Sequence, residues 1–303
     1  MSRQLRITRK GLLYPVMARE TSGHLLSELT GWHVAYELTR LGGKYRAVIA
    51  SSILAFLLLA YAAEGFPASS VSPLSPNDKN QLAILGAGVV GAAIEAPLIT
   101  DPTKYYQPIR GTWQYRITSG DKKGQSYAES LTPIPKNAQG ATWRRSRPQY
   151  DDLISITGDS IHLSNEVDHD HGLLVQFKPR GFLLTSTLKP GESRTMKGTA
   201  HAFKLSDPTT EYKTFTMEET YTYVGAYKVK TPAGIFDALL FRNDFKVSSG
   251  SVTVDDSRYS FFAEGVGKVA GIEQAHATVL FFFHFSEKIP KVLVDYPRSG
   301  KGN

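Results

Sequence analysis

The histidine-rich segment 165–172 carries the residue types and spacing best suited to metal chemistry. It reads NEVDHDHG, with His169 and His171 between acidic residues and His162 seven positions before His169. On a β-strand His169 and His171 share a face, and two imidazoles on one face can bind zinc or copper. The Asp and Gly content favours a turn, in which both rings point into water. The solvated turn is therefore favoured over a metal site. Among possible enzyme functions, a metal hydrolase around His169 fits the sequence best.

Other patterns of catalytic chemistry are missing from the sequence. It contains no GxSxG, SxxK, HExxH or phosphate-binding loop. The neighbouring acids Glu218 and Glu219 point to opposite faces of a strand, so they do not form an acid and base pair. Without cysteine, a thiol nucleophile and thiolate-bound metals are excluded. We predict a non-enzymatic protein with no catalytic residues, no metal site and no cofactor.

Aromatic residues on one face of a strand suggest a different function, the binding of a hydrophobic ligand. Between residues 214 and 223, apolar side chains alternate with Thr and Glu, as expected for a strand with one dry and one wet face. The run AHATVLFFFHFS has apolar residues on both faces, which predicts burial on both sides. Such a strand needs a helix or a ligand inside the curve of its sheet. The predicted ligand-binding residues are Phe215, Met217, Tyr221, Tyr223, Phe281 and Phe283. The alternative is that these side chains make an ordinary dry core.

The elements that position these residues are mainly β. From Gly111 to Pro297 the segments are short, β-like and closed by Gly or Pro turns, with about ten to twelve strands expected. The predicted fold is a curved antiparallel sheet or an open half-barrel wrapped on one helix, after an N-terminal membrane or signal segment.

The helix is predicted over residues 77–96, with Asn77 or Asp78 as its cap. Its glycines also match GxGxxG, but the chain then runs into prolines and strands rather than a βαβ unit, so dinucleotide binding is rejected. A small-residue helix that allows close packing is favoured. A short second membrane segment is the alternative.

The segment WRRSRPQY is the basic patch outside the N-terminal region. Its arginines, Arg144, Arg145 and Arg147, could bind anionic lipid headgroups or polysaccharide. A solvated surface loop is the favoured interpretation.

An uncharged stretch of 17 residues, Ala47 to Ala63, predicts export. Cleavage after Ala62 or Ala63 would release a periplasmic protein, whereas an uncleaved stretch would anchor it in the inner membrane with a cytoplasmic N-terminus. Translation starting near Leu38 or Leu41 is a third possibility. The predicted organisation is a basic leader (1–46), a signal or anchor (47–63), a linker (64–80) and a β half-barrel domain (81–303).

The net charge of +7 does not indicate nucleic-acid binding. In residues 1–46, eight Lys or Arg against three Glu give +5, which leaves +2 for the remaining 257 residues. We predict no nucleic-acid partner.

Two motifs carry a resemblance to secreted bacterial β-domains of unknown function. The first includes Pro232, Ala233, Gly234 and Phe236, and the second is an aromatic strand that ends in Gly-Val-Gly at residues 265–267. Such domains are similar to LolA/LolB-like half-barrels, which wrap an incomplete barrel around a helix and hold lipid acyl chains. The chain lacks the lipobox cysteine of the lipoprotein carriers.

The resemblance and the aromatic pattern together predict a periplasmic envelope protein that binds a lipid-like ligand in a curved β-sheet. The alternative is a membrane-tethered structural or assembly subunit with no ligand pocket, which binds another envelope protein.

Overall fold

The computed structural model describes residues 72–250, 252–279 and 283–298. The predicted leader and the predicted signal or anchor segment lie outside the described residues. No helix in the described part is both long and apolar enough to cross a bilayer.

Strands dominate the described residues, so the prediction of a mainly β, antiparallel fold is confirmed. The helical elements are α1 (Pro76–Leu82), a 3-10 turn (Ala83–Leu85) and α2 (Thr103–Tyr106). The strands are β1 (Val90–Ile94), β2 (Gly111–Ile117), β3 (Ser126–Pro133), β4 (Trp143–Ser146), β5 (Tyr150–Ile156), β6 (Ser160–Asp168), β7 (Leu173–Thr185), β8 (Ser193–Lys204), β9 (Asp207–Thr231), β10 (Gly234–Ser249), β11 (Val252–Ala263), β12 (Gly267–Val279) and β13 (Phe283–Asp295).

Twelve of the described strands, β2 to β13, close into a barrel. Each pairs antiparallel with its neighbours, and β8 pairs with β9 to complete the ring. Strand β9 is 25 residues long, and one of its edges pairs with β10 while the other pairs first with β8 and then with β1. The prediction of an open half-barrel is therefore wrong. Closure pairs backbone groups that an open sheet would leave exposed at its edges.

The inward face of the barrel follows the predicted alternation in β9. Met217 and Tyr221 are buried, whereas Thr216 and Glu218, on either side of Met217, are exposed. The outward face of β9 to β13 is also buried near one end of the barrel, as Leu240 and Phe261 show. The predicted burial of AHATVLFFFHFS on both sides concerns side chains that lie outside the described residues.

The N-terminal segment covers this outward face and differs from the predicted helix over residues 77–96. Helix α1 ends at Leu82, and the chain then turns and forms strand β1. Gly86 and Gly88 have φ angles of 110° and 75°, which a right-handed helix cannot contain. The cap is Ser75, whose hydroxyl accepts a hydrogen bond from the Asp78 backbone N–H. The helix therefore begins within the segment predicted as a linker.

Helix α1 lies outside the barrel rather than inside its curve. Asp78 Oδ1 accepts hydrogen bonds from Arg242 Nη1 at 2.8 Å and from Tyr259 Oη at 2.9 Å. Arg242 and Tyr259 face away from the barrel interior, because they alternate with the inward-facing Phe241 and Arg258 along their strands.

The Gly-Val-Gly motif has a packing role between β11 and β12. Trp113 Nε1 donates to the Val266 carbonyl at 2.7 Å. Gly267 has a φ of 95°, and a Cβ there would lie 3.3 Å from Trp113 Nε1 and from the Tyr106 carbonyl. Glycine is required because the position is left-handed and has no room for a side chain.

Candidate functional site

The two ends of the barrel differ. Segment 95–110 closes one end, here called the plugged end, where Tyr223 Oη donates to the Pro97 carbonyl at 2.9 Å and Gly265 N donates to the Lys104 carbonyl at 2.9 Å. The hairpins of an antiparallel barrel alternate between its ends. The opposite end is therefore bounded by the loops at 118–125, 147–149, 169–172 and 205–206, and is called the mouth.

A network of charged side chains fills the barrel interior between these ends. Its cations and anions are equal in number: Arg145, Arg147, Arg258, Lys268 and Lys291 against Glu129, Asp152, Glu166, Asp256 and Glu273. Because five cations face five anions, the network has no net charge when every member is ionised.

The deepest part of the network is built around Lys291, whose side chain is fully buried. Its Nζ lies 2.8 Å from Glu129 Oε1 and 2.7 Å from Glu273 Oε1. Lys268 Nζ approaches the same Glu129 oxygen at 2.8 Å. The Lys291 ammonium also lies 4.0 Å from the centre of the Tyr127 ring. A buried ammonium therefore has both ionic and aromatic partners.

Arg147 joins this part to the layer nearer the mouth. It contacts Asp152 Oδ1 at 2.8 Å, Glu166 Oε2 at 3.1 Å and Glu273 Oε2 at 3.3 Å. Arg258 Nε donates to Asp256 Oδ2 at 2.6 Å. Burial alone would raise the pKa of Glu129, but Lys268 and Lys291 outweigh it and hold that pKa well below its ordinary value. Burial lowers the pKa of Lys268 to about 8.

The prediction that the WRRSRPQY arginines form a solvated loop is wrong for two of them. Arg144 does point outward, near Asp151. Arg145 and Arg147 instead enter the interior network, because β4 and the residue after it continue the alternation of the sheet.

A small cavity lies under the plug, next to the network. Its volume is about 30 Å³, and its lining includes Tyr106, Trp113, Glu129, Arg145 and Lys268. The Tyr106 hydroxyl is buried there, and it has no hydrogen-bond partner among the described residues. A space of this size holds one or two water molecules and is too small for a lipid chain.

The wall of the mouth is apolar and half-buried. Its members, called the mouth wall, are Phe177, Phe215, Phe245, Val247 and Val254. Sheet register places them on the inward face: Phe177 and Phe215 both pair with Ala200, and Val247 pairs with both Met217 and Val254. The rings of Phe177 and Phe245 meet edge to face, with centroids 5.8 Å apart. Because β7 and β10 are not neighbouring strands, this contact crosses the interior.

The floor beneath this wall is charged and partly open to water. Side-chain exposure is 29% for Arg258, 21% for Glu273 and 18% for Glu166, and it falls to zero at Lys291. Burial raises the pKa values of Glu166 and Asp256, although Arg147 and Arg258 oppose that effect. Apolar walls above a wet polar floor can bind an amphipathic molecule.

The structure separates the predicted ligand-binding residues by depth. Phe215 and Met217 lie at the mouth. Tyr221 and Tyr223 lie deeper and are buried, with their hydroxyls bonded to the carbonyls of Leu183 and Pro97. Both tyrosine rings stack on the ring of Phe241, with centroid distances of 5.2 Å for Tyr221 and 4.7 Å for Tyr223.

The remaining two predicted residues cannot be placed in this way. Phe281 lies outside the described residues, and Phe283 begins strand β13 but its side chain is outside them. The mouth wall also includes two aromatic residues that were not predicted as ligand-binding, Phe177 in β7 and Phe245 in β10, because the predicted residues were chosen from other strands.

Glu219 is a buried carboxyl between the mouth wall and the aromatic stack. Its Oε1 accepts hydrogen bonds from Asn243 Nδ2 at 2.6 Å and Phe182 N at 3.2 Å. Its Oε2 has no hydrogen-bond partner in the described structure, and neither has Asn243 Oδ1. Burial raises the pKa of Glu219 to about 7.

The histidines of the predicted metal segment bind different partners. His171 Nδ1 lies 2.8 Å from Asp168 Oδ2, and His169 Nε2 lies 3.4 Å from Asp151 Oδ2. Both side chains are largely exposed at the turn after β6, and His162 is packed against Phe182. Within the described residues, no group of three or more potential ligands is arranged to hold a metal ion.

Comparisons with known proteins add little to this geometry. No protein-family model and no curated protein matches the sequence. The crystal structure of a "putative lipoprotein" from Parabacteroides distasonis ATCC 8503 aligns with 64% of this chain and 97% of its own, at 9% identity and a TM-score of 0.32. The resemblance to LolA/LolB-like half-barrels is not confirmed by these comparisons.

Proposed function

We propose that this chain is a non-enzymatic binding protein that takes an amphipathic, lipid-like ligand at the mouth of its barrel. The observation that carries the proposal is the half-buried mouth wall above a charged, partly wet floor. The barrel is closed at its other end by segment 95–110, so the mouth is the end where a ligand could enter.

The mouth wall supplies the apolar half of the proposed site. Its three phenylalanines and two valines keep part of their surface exposed although they face inward. Covering that surface with an acyl chain is favourable by about 25 cal/mol for each Å² removed from water. The chain would lie against Phe177 and Phe245, whose edge-to-face contact narrows the mouth.

The charged floor limits which headgroup the ligand can carry. Five cations and five anions balance in the network, so the network has no net charge to attract a strongly charged headgroup. A neutral polar or zwitterionic headgroup therefore suits this floor, with Arg258 and Glu273 as its most exposed hydrogen-bonding partners. Below this level Tyr221 and Tyr223 are tightly packed, so the ligand would remain at the mouth.

The proposed setting is the cell envelope. The predicted export segment, residues 47–63, would place the barrel in the periplasm, either released or anchored in the inner membrane.

A structural or assembly subunit of an envelope complex is the second candidate. It is favoured by one observation: α1 and the residues after it cover the outward face of the sheet, where Leu82 and Leu85 are buried. Side chains of the chain itself therefore fill the space between α1 and the sheet.

Native mass spectrometry with lipid extraction tests the proposal on the exported protein. We expect a co-purifying lipid at near one-to-one stoichiometry, and its loss in Val254→Asp, which puts a charge in the mouth wall. Thr253→Asp is the matched control, because Thr253 is the neighbouring half-buried residue on the opposite face of β11. An apo mass that persists after lipids are offered would refute ligand binding and favour the structural subunit.

A further inference from the structure

The hairpin between β8 and β9 carries an exposed apolar patch at the mouth end. Among the described residues, four large apolar side chains are exposed. Leu98 and Ile235 belong to the plugged end, whereas Leu205 and Tyr212 lie on this hairpin, 41% and 59% exposed. The two hairpin residues are therefore the exposed large apolar side chains on the side where the barrel is open.

Leu205 and Tyr212 form one continuous surface with the neighbouring hairpin. They line a shallow cavity of about 440 Å³ together with Leu173, Lys204 and His171. Leu205 N donates to the Gly172 carbonyl at 2.8 Å, which ties the two hairpins together. These five side chains are called the hairpin tip. Its apolar residues are contiguous, unlike single exposed residues on an ordinary surface.

The cations beside the patch rest on aromatic rings. Lys204 Nζ lies 5.1 Å from the centre of the Tyr212 ring, and Lys213 Nζ lies 5.1 Å from that of Phe215. Neither ammonium has a carboxylate partner within ion-pair distance in the described part of the chain. Both charges are therefore available to an anionic group approaching the patch.

The acidic residues of the same hairpin are already engaged. Asp207 accepts a hydrogen bond from Thr209 Oγ1 at 2.8 Å. Glu211 is held by Thr214 and by His201 Nδ1, the latter at 2.8 Å. The side chains left for a partner are thus leucines, a tyrosine and two lysines.

We propose that the hairpin tip docks on the surface of a phospholipid bilayer. A tyrosine beside leucine suits the membrane interface, where one end of the ring is apolar and the other is wet. Lys204 in the hairpin tip, and Lys213 beside it, match lipid phosphates. A barrel docked through the hairpin tip would have its mouth facing the bilayer. Docking does not depend on binding of the proposed ligand, because the hairpin tip and the mouth wall consist of different residues.

The chain has no cysteine, so one introduced thiol can be labelled uniquely in the full-length protein. An environment-sensitive dye on Leu205→Cys is mixed with vesicles of phosphatidylcholine and phosphatidylglycerol that carry a headgroup quencher. The matched control is the same dye on Ile235→Cys, a residue 69% exposed at the plugged end. We expect quenching at position 205 several times stronger than at position 235.

Tyr212→Asp in the Leu205→Cys background is the second variant. We expect it to raise the vesicle concentration needed for half-maximal quenching by roughly tenfold. A change of that size corresponds to the binding free energy contributed by one apolar side chain at the membrane interface. Equal quenching at the two dye positions, or no effect of Tyr212→Asp, would overturn the docking proposal. Lipid capture at the mouth is measured separately by mass, so failure of docking leaves the proposed function standing.

Discussion

Replacing Glu219 by glutamine should make the protein more stable, and increasingly so as the pH rises. Glu219 is 2% exposed, and one of its oxygens has no hydrogen-bond partner in the described structure. Burial disfavours the ionised carboxylate, which raises the pKa from 4.5 to about 7. Glutamine keeps an oxygen for the Asn243 amide and the Phe182 N–H, and it has no charge to bury.

The magnitude follows from the difference between the folded and unfolded pKa values. Because the folded value is the higher one, the stabilising contribution of Glu219 is complete below about pH 4.5 and is lost as the pH rises through about 7. At about 1.36 kcal/mol for each pH unit, that difference corresponds to roughly 3 kcal/mol. We treat this as the upper bound, because water entry or local relaxation reduces it.

Urea unfolding of both proteins at pH 4.5, 6 and 7.5, followed by tryptophan fluorescence, measures the effect. We expect the stability difference between Glu219→Gln and the natural chain to grow across this series by up to roughly 3 kcal/mol. Glu218→Gln is the control: Glu218 is the preceding residue, exposed on the outward face and paired with Lys197. A difference for Glu219→Gln that stays constant with pH would refute the argument.

Two further substitutions test the packing of the interior. Lys291→Met removes the fully buried one of the two lysines that Glu129 and Glu273 share, the other being Lys268. It should lower the free energy of unfolding by about 3 to 5 kcal/mol, whereas Lys246→Met at the surface should change it by less than about 1 kcal/mol; equal effects in urea unfolding would contradict a structural role for the network. Gly267→Ala forces a left-handed position and a close contact with Trp113, and should cost about 1 to 3 kcal/mol; an unchanged melting temperature would show that the motif tolerates a side chain.

Much of the local structure could be predicted from alternation and turn residues. The pattern around Met217 and Tyr221 predicted a strand with one buried face, and the structure confirms it. The two motifs that carried the resemblance do lie in the β9–β10 and β11–β12 hairpins. Both features depend on residues close together in the chain, so a single sequence shows them.

The interior network could have been found from the same alternation. Glu129 lies between Tyr127 and Leu131, and Lys291 lies between Ile289 and Leu293, in each case at the parity of the apolar residues. A charged residue at such a position means either that the strand ends there or that the residue belongs to a buried ion pair. Deciding between the two requires knowing whether a distant strand brings an opposite charge close, and the local sequence pattern does not show that.

The helix over residues 77–96 was predicted from small apolar residues, but tertiary contacts and glycine conformations decided against it. Val90 to Ile94 pair with β9 instead, and α1 is held from outside by Arg242 and Tyr259. A helix of seven residues is marginal by itself, so its place is set by what it packs against.

The sequence by itself determined the class of this protein, a mainly β fold of antiparallel strands whose inward face is apolar in part, whereas the export segment at residues 47–63 stays a prediction. Only the tertiary structure decided that the sheet closes, that Arg145 and Arg147 turn inward, and that the mouth wall stands over a balanced charge network. The physical reason is that alternation states which residues share a face, whereas closure, ion pairing and the position of the mouth depend on which distant strands meet.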